Sequence, residues 1–274
     1  MNSTTQQIQT GDDYKDEVQD QWDNNPCGSH YANGTQRQTL DWFLEIERYR
    51  YGEYAPWMLE TMEFAKHAGK RILEIGGGIG TDHVQFAKHG AITTDIDLSA
   101  GHLALAKENF RLRGLNGTFV HHDAETLPFP EASFDVVYSN GVIHHTPNTQ
   151  SVVDEIYRVL KPGGKAIVMV YAENSLHYWR NIVTVLGLEQ HLLESFSVGE
   201  IMSRHVEITE NDARPLVKVY TRARLRKLFG QFRRISIVQR QMVAGEVPKL
   251  FNWIPLRVIG KLIGWNLIIK AHKP

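Results

Sequence analysis

A single cysteine, Cys27, stands among 274 residues, which excludes an internal disulfide and any zinc site built from thiolates. No stretch reaches the about 18 uninterrupted apolar residues that a membrane-spanning helix requires. The opening MNSTTQQIQTGDDYKDEVQD has neither the apolar core of a secretory signal nor the basic character of a transit peptide. A mobile tail and a cytoplasmic protein are the expectation. No internal repeat is present. The net charge of −1 hides a basic last quarter: Arg222, Arg224, Arg226, Lys227, Arg233, Arg234, Arg240, Lys249, Arg257, Lys261, Lys270 and Lys273. Such a flank is either a solvated face or an attractor for anionic lipid, nucleic acid or an acidic substrate. Basic residues interleaved with a stacking platform are missing, so no nucleic-acid partner is expected.

From Arg71 onward, short apolar runs (RILEI, AITTDI, GTFVHH, FDVVYS, GKAIVMVY) alternate with amphipathic segments. In TQSVVDEIYRVL, Val152, Val153, Ile156, Val159 and Leu160 share one helical face, and KPGG (161–164) ends the helix. This alternation predicts an α/β fold with a mostly parallel sheet and helices on both faces. Beyond Tyr171 the rhythm changes. Residues 173–215 read as helical pieces without a strand, too short for a core of their own, and so as an insertion above the sheet. Residues 1–68 read as a tail and a cap. The cap's aromatic residues Trp22, Tyr31, Trp42, Phe43, Tyr49, Tyr51, Tyr54 and Trp57 are expected to pack at the carboxyl edge of the sheet.

RILEIGGGIGTD (71–82) sets glycines behind the first strand, where an open parallel sheet binds its ligands. The dinucleotide fingerprint G-x-G-x-x-G is broken, because Thr81 stands where its third glycine belongs, and no Gly-Lys-Ser/Thr of a phosphate loop follows. The run reads E-x-G-x-G-x-G through Glu74, Gly76, Gly78 and Gly80. About twenty residues on, Asp97 ends the second strand, placed to accept from both hydroxyls of a ribose. Asp123 ends the third, placed to accept from an exocyclic amine. Either acid alone is as readily a helix cap; both, at these spacings behind the glycines, point to an adenosine.

The set LEIGGGIG, TDIDLS, HHDAETLPFPEASFDVVYSN and EIYRVLKPGG resembles the class I S-adenosylmethionine-dependent methyltransferases over about residues 70–172. The likeness is to their small-molecule branch, which includes ubiquinone, sugar and natural-product enzymes. It implies a Rossmann-like, seven-stranded sheet in a domain over 69–274, closed by an antiparallel pair from RRISIVQRQMV and WNLIIKA. It implies S-adenosylmethionine held by Glu74, Gly76, Gly78, Asp97, Leu98, Asp123, Ala124 and Asn140, with Gly76 and Gly78 at the amino-acid end and Asn140 beside the sulfonium. Asp95, where relatives carry glycine, blurs which acid takes the ribose.

Methyl transfer from a sulfonium needs an aligned nucleophile and a proton acceptor. Neighbouring His144 and His145 in SNGVIHHTPN point to opposite sides, so one of them is the candidate base. The family likeness favours His144, with Tyr31 as a possible partner hydroxyl. Cys27, in the loop WDNNPCGSHY, reads as structural. No NPPY-like run and no acidic metal-ligand pair is present, which argues against base or amide methylation and against a metal. A small-molecule acceptor methylated at oxygen is the leading expectation. A protein that binds S-adenosylmethionine without transferring methyl, as a regulator or a sulfonium-using cyclase, is the alternative. The link PKLFNWIPLRVIGKLIGW (248–265) is read either as a broken helix packed on the fold, since Pro255 interrupts it, or as a peripheral membrane contact.

Overall fold

The computed structural model describes residues 12–24, 26–32, 34–206, 215–251 and 253–274, so the tail over 1–11 and residues 207–214 of the insertion lie outside the described residues. Its centre is a sheet ordered β3-β2-β1-β4-β5-β8-β7, formed by β1 (Arg71–Ile75), β2 (Ile92–Asp97), β3 (Thr118–His121), β4 (Phe134–Asn140), β5 (Leu160–Ala172), β7 (Arg233–Arg240) and β8 (Asn266–His272). The first five strands run parallel, and β8 is antiparallel to both its neighbours. A further two-residue strand, β6 (Val219–Tyr220), pairs with the end of β5, which makes eight strands where seven were expected. KPGG does not sit outside the sheet: the helix α6 (Thr149–Val159) ends at Val159, and β5 begins at once, with a register shift across these residues.

Alternation along the strands sends side chains to two cores. Leu73, Val137, Val168 and Ile269 meet α6 and the helix α8 (Arg222–Leu228) on one face. Ile72, Tyr138, Ile167 and Ile268 meet Tyr51, Met58, Met62 and Phe64 of the amino-terminal segment on the other, together with Phe86 of α4 (Thr81–Lys88). The cap is therefore a face covering as much as an edge covering. Trp42 and Phe43 of α2 (Leu40–Tyr49) are buried with Ile79 and with Leu105 of α5 (Ala100–Leu112), while Trp22, Tyr31, Tyr54 and Trp57 stand at the carboxyl edge. Ile182, Ile201 and Met202 of the insertion are buried with Val217, just beyond it, in a satellite cluster against which Tyr171 of β5 packs.

Between 248 and 265 no continuous helix forms. A short turn over Lys249–Phe251 is followed by the helix α9 (Leu256–Ile263), with Pro255 at its N-cap, so the proline starts this helix rather than kinking it. Ile259 and Gly260 face the fold. Among the described residues no helix is long and apolar enough to cross a membrane.

Candidate active site

A cavity of about 510 Å³ opens at the carboxyl ends of the strands, and its wall includes Glu74, Gly76, Gly78, Asp97, Leu98, Asp123, Ala124, Asn140 and His145. The topology thus gathers nine of the ten expected site residues; His144 is absent from the wall. Its ring is fully buried, 4.1 Å by centroids from both the His145 and Tyr171 rings, and neither ring nitrogen has a hydrogen-bond partner. Burial, aided by His145 and Lys218, holds its pKa well below the usual imidazole value, so the ring stays neutral. The preference for His144, which came from the family likeness, does not match the geometry: the 3₁₀ turn over Ile143–His145 buries its ring and brings His145 to the cavity. The turn presents His145, whose Nδ1 donates to the Leu216 carbonyl at 2.7 Å.

The three glycines have separate reasons. A Cβ on Gly76 would lie 2.4 Å from Val142, and one on Gly77 would lie 2.5 Å from the Asp95 carboxylate. Gly78, at φ +56°, has open space before it. All three line the cavity, but at Gly76 and Gly77 the missing Cβ makes room for the protein's own side chains, whereas at Gly78 it leaves open space. The acids of TDID clamp the same loop, since Gly77 N–H donates to Asp95 at 3.1 Å and Gly78 N–H to Asp97 at 3.0 Å. Asp95 is wholly buried behind the loop, and desolvation pushes its pKa well above the carboxylate range. Asp97 lines the cavity. Burial alone would raise its pKa, but His102 and the amides of Ser99 and Gly78 outweigh it and hold the group ionised. Sequence left two acids in contention; their depth separates them.

Glu74 is turned toward His83, 3.0 Å away. Burial raises the glutamate's pKa well above its usual value and lowers that of the histidine, so this contact is a neutral hydrogen bond rather than an ion pair. Asp123 accepts from the Glu125 amide at 2.9 Å and from Lys15 Nζ at 2.6 Å. Lys15, on the helix α1 (Asp13–Asn24), also reaches Glu125 at 2.8 Å and so ties the amino-terminal helix over this end of the cavity. A lone Lys in an acidic tail carried no signal for this.

Other wall residues also escaped sequence reasoning. Cys27 N–H donates to His102 Nε2 at 3.2 Å, and His102 Nδ1 lies 3.4 Å from Asp97, so the 26–31 loop is coupled to the carboxylate. Arg50 sits in a wide π turn that continues α2, and it forms two 2.7 Å bonds to Asp82. The Tyr51 and Tyr138 hydroxyls donate to the same carboxylate at 2.6 and 2.7 Å. Tyr31 lines the cavity stacked on Tyr49, and burial raises its pKa. The hydroxyl at the histidine turn belongs instead to Tyr14, which donates to the His145 carbonyl at 3.2 Å.

A mostly parallel open sheet with a glycine turn after its first strand and an acid ending its second is a Rossmann-like fold. Residues 73–168 match a family described as a methyltransferase domain. The phthiotriol/phenolphthiotriol dimycocerosates methyltransferase of Mycobacterium tuberculosis is 32% identical over 187 residues, which cover 65% of this chain and 67% of that protein. The ubiquinone biosynthesis O-methyltransferase of Coxiella burnetii is 31% identical over 121 residues, 44% of this chain and 50% of that one. A solved [4+2]-cyclase structure, SpnF, shares the fold at 19% identity with a TM-score of 0.54, covering 94% of this chain and 95% of its own. The chain belongs to the class I S-adenosylmethionine-dependent methyltransferases.

The site suits that cofactor. Gly78 leaves a cradle that a side chain would fill, and Asn140 Oδ1 is buried with no hydrogen-bond partner in the protein. Asp97 brings an ionised acceptor to the same cavity.

Proposed function

We propose that this methyltransferase acts on a hydroxyl of a small, lipophilic acceptor, with His145 receiving the proton. The observation that carries the reading is continuity: one cavity joins the Gly78 and Asp97 end to a compartment walled by Trp57, Met169, Tyr171 and Trp265 and reached by His145. When bound, S-adenosylmethionine supplies a methyl group already activated on a sulfonium. Asp97 accepts from the ribose hydroxyls, Leu98 covers the adenine, and Asp123 with Ala124 meets its edge. Gly76, Gly78 and Glu74 bound the amino-acid end, and Asn140 lies toward the sulfonium. The Leu216 carbonyl holds the Nδ1 proton of His145, so Nε2 is the nitrogen that accepts one. Two relatives support a lipophilic acceptor by name, and one of them supports oxygen.

Asp97→Ala is expected to weaken S-adenosylmethionine binding by about 1.5–3 kcal/mol, the range for hydrogen bonds to a charged group. Calorimetry that returned wild-type affinity would pass the role to another acceptor.

The outer side of 248–265 supports a membrane-borne acceptor. Leu250 (77% exposed), Trp253 (79%) and Leu262 (69%) stand out beside exposed Lys249, Arg257 and Lys261. Val243, half exposed, connects this surface to the cavity wall. Apolar side chains among cations suit an anionic lipid surface. The test presents a panel of phenolic and quinol acceptors in anionic vesicles. It is expected to yield S-adenosylhomocysteine with an acceptor one methyl heavier, and co-sedimentation that high salt reverses. Tight cofactor binding with no homocysteine product across the panel would favour the non-transferring alternative. Failure to sediment at low salt would remove the membrane contact alone.

A further inference from the structure

Besides His102 with Asp97, the cavity wall carries a second imidazole backed by a carboxylate. His177 opens the helix His177–Glu189 after β5, and Glu246 lies in the loop after β7, 69 residues away in sequence. His177 Nδ1 and Glu246 Oε1 are 2.6 Å apart, and the Asn181 amide converges on the same oxygen at 3.0 Å. Both members of the pair line the cavity. The carboxylate side chain is 12% exposed and the imidazole 27%, so the carboxylate is the deeper of the two. A carboxylate accepts and cannot donate, so Nδ1 carries a proton, and in the neutral ring Nε2 presents a lone pair. Among the described residues none hydrogen-bonds that Nε2.

An aromatic floor runs beside the pair. The His177 ring is 4.6 Å by centroids from Trp265, and Trp265 stacks on Tyr171 at 4.5 Å and 24°. Tyr171 in turn lies 6.1 Å from His145. His145 and His177 therefore stand at the two ends of one aromatic wall, and they differ in what stands behind them. His145 leans on a neutral carbonyl; His177 leans on a carboxylate held by an amide.

We propose that the His177–Glu246 pair is an acceptor-recognition site that takes a hydrogen bond from a hydroxyl on an aromatic ring lying along the Tyr171–Trp265 wall. This rests on the reading of the cavity as a methyl-acceptor pocket and narrows its substrate class to a hydroxyaromatic molecule. The hydroxyl held here is a different group from the oxygen presented to His145. Glu246 fixes the tautomer, Asn181 fixes Glu246, and the flat wall orients the ring that bears the donor. His177 is a recognition residue, not the base.

The experiment compares 2-naphthol with 2-methoxynaphthalene, two ligands of like shape of which only the first donates. Tryptophan fluorescence reads binding to the intact protein without cofactor. Wild type is expected to prefer naphthol by about tenfold, the order of one well-made hydrogen bond. His177→Phe keeps a ring against Trp265 and is expected to erase the preference while the methoxy compound still binds. Glu246→Gln, a milder change that should leave the packing intact, is expected to reduce the preference. A preference that survives in both His177→Phe and Glu246→Gln overturns the proposal. So does a wild type that does not distinguish the two ligands. Homocysteine release in a separate acceptor assay reports on methyl transfer itself, so the two readings fail independently.

Discussion

Replacing His145 with alanine is expected to lower turnover by about 10²–10⁴-fold and to leave S-adenosylmethionine affinity nearly unchanged. That range is typical of losing a positioned proton acceptor. The cavity wall and the Leu216 contact single out this imidazole. The paired control is His144→Phe, which keeps a ring between His145 and Tyr171 and removes two nitrogens that bond to nothing. It is expected to retain turnover within a few-fold, because loss of unpaired buried polar atoms costs a core little. Single-turnover rates separate the chemical step from binding. Comparable rates in wild type and His145→Ala would mean that alignment alone drives transfer.

Asp82→Ala is expected to cost about 3–5 kcal/mol of folding stability, the range for stranding one partner of a buried ion pair. Asp82 accepts two bonds from Arg50 and one each from Tyr51 and Tyr138, and its side chain is 5% exposed. Its removal leaves a guanidinium and two hydroxyls without their acceptor under the glycine loop. Desolvation works against ionisation of Asp82, but Arg50 and the two tyrosine hydroxyls outweigh it and hold its pKa below the usual value. Asp82→Asn keeps an acceptor for one tyrosine but loses the charge, and is expected to fall between wild type and alanine. Urea unfolding measures the difference. A loss below about 1 kcal/mol in Asp82→Ala would show that water or a neighbour satisfies Arg50.

Much of the architecture was legible because it is written locally. Short apolar runs such as RILEI and FDVVYS marked strands, and the amphipathic segments between them marked crossovers, so parallel pairing followed. The link from GGG to Asp97 was readable for the same reason: strand ends and turn residues recur at set spacings in this kind of sheet. The eighth strand was not, since Val219–Tyr220 is a strand only because the end of β5 offers it an edge. KPGG looked like a helix stop and proved also to be a strand irregularity, because chain direction there is set by the pairing with β4 and not by the proline alone.

By itself the sequence pointed to an adenosine-bearing ligand at the turn after the first strand, since glycine spacing and strand-end acids are short-range features. Only the tertiary structure decided which groups line the cavity there. Asp95 and Asp97 are two residues apart, yet one is sealed behind Gly77 and the other opens on the cavity. His144 and His145 are adjacent, yet a single turn buries one and presents the other. Lys15 with Asp123, Arg50 with Asp82 and His177 with Glu246 are pairs brought together from 108, 32 and 69 residues apart. Their energies depend on distance and burial, quantities that packing creates and that no spacing along the chain encodes.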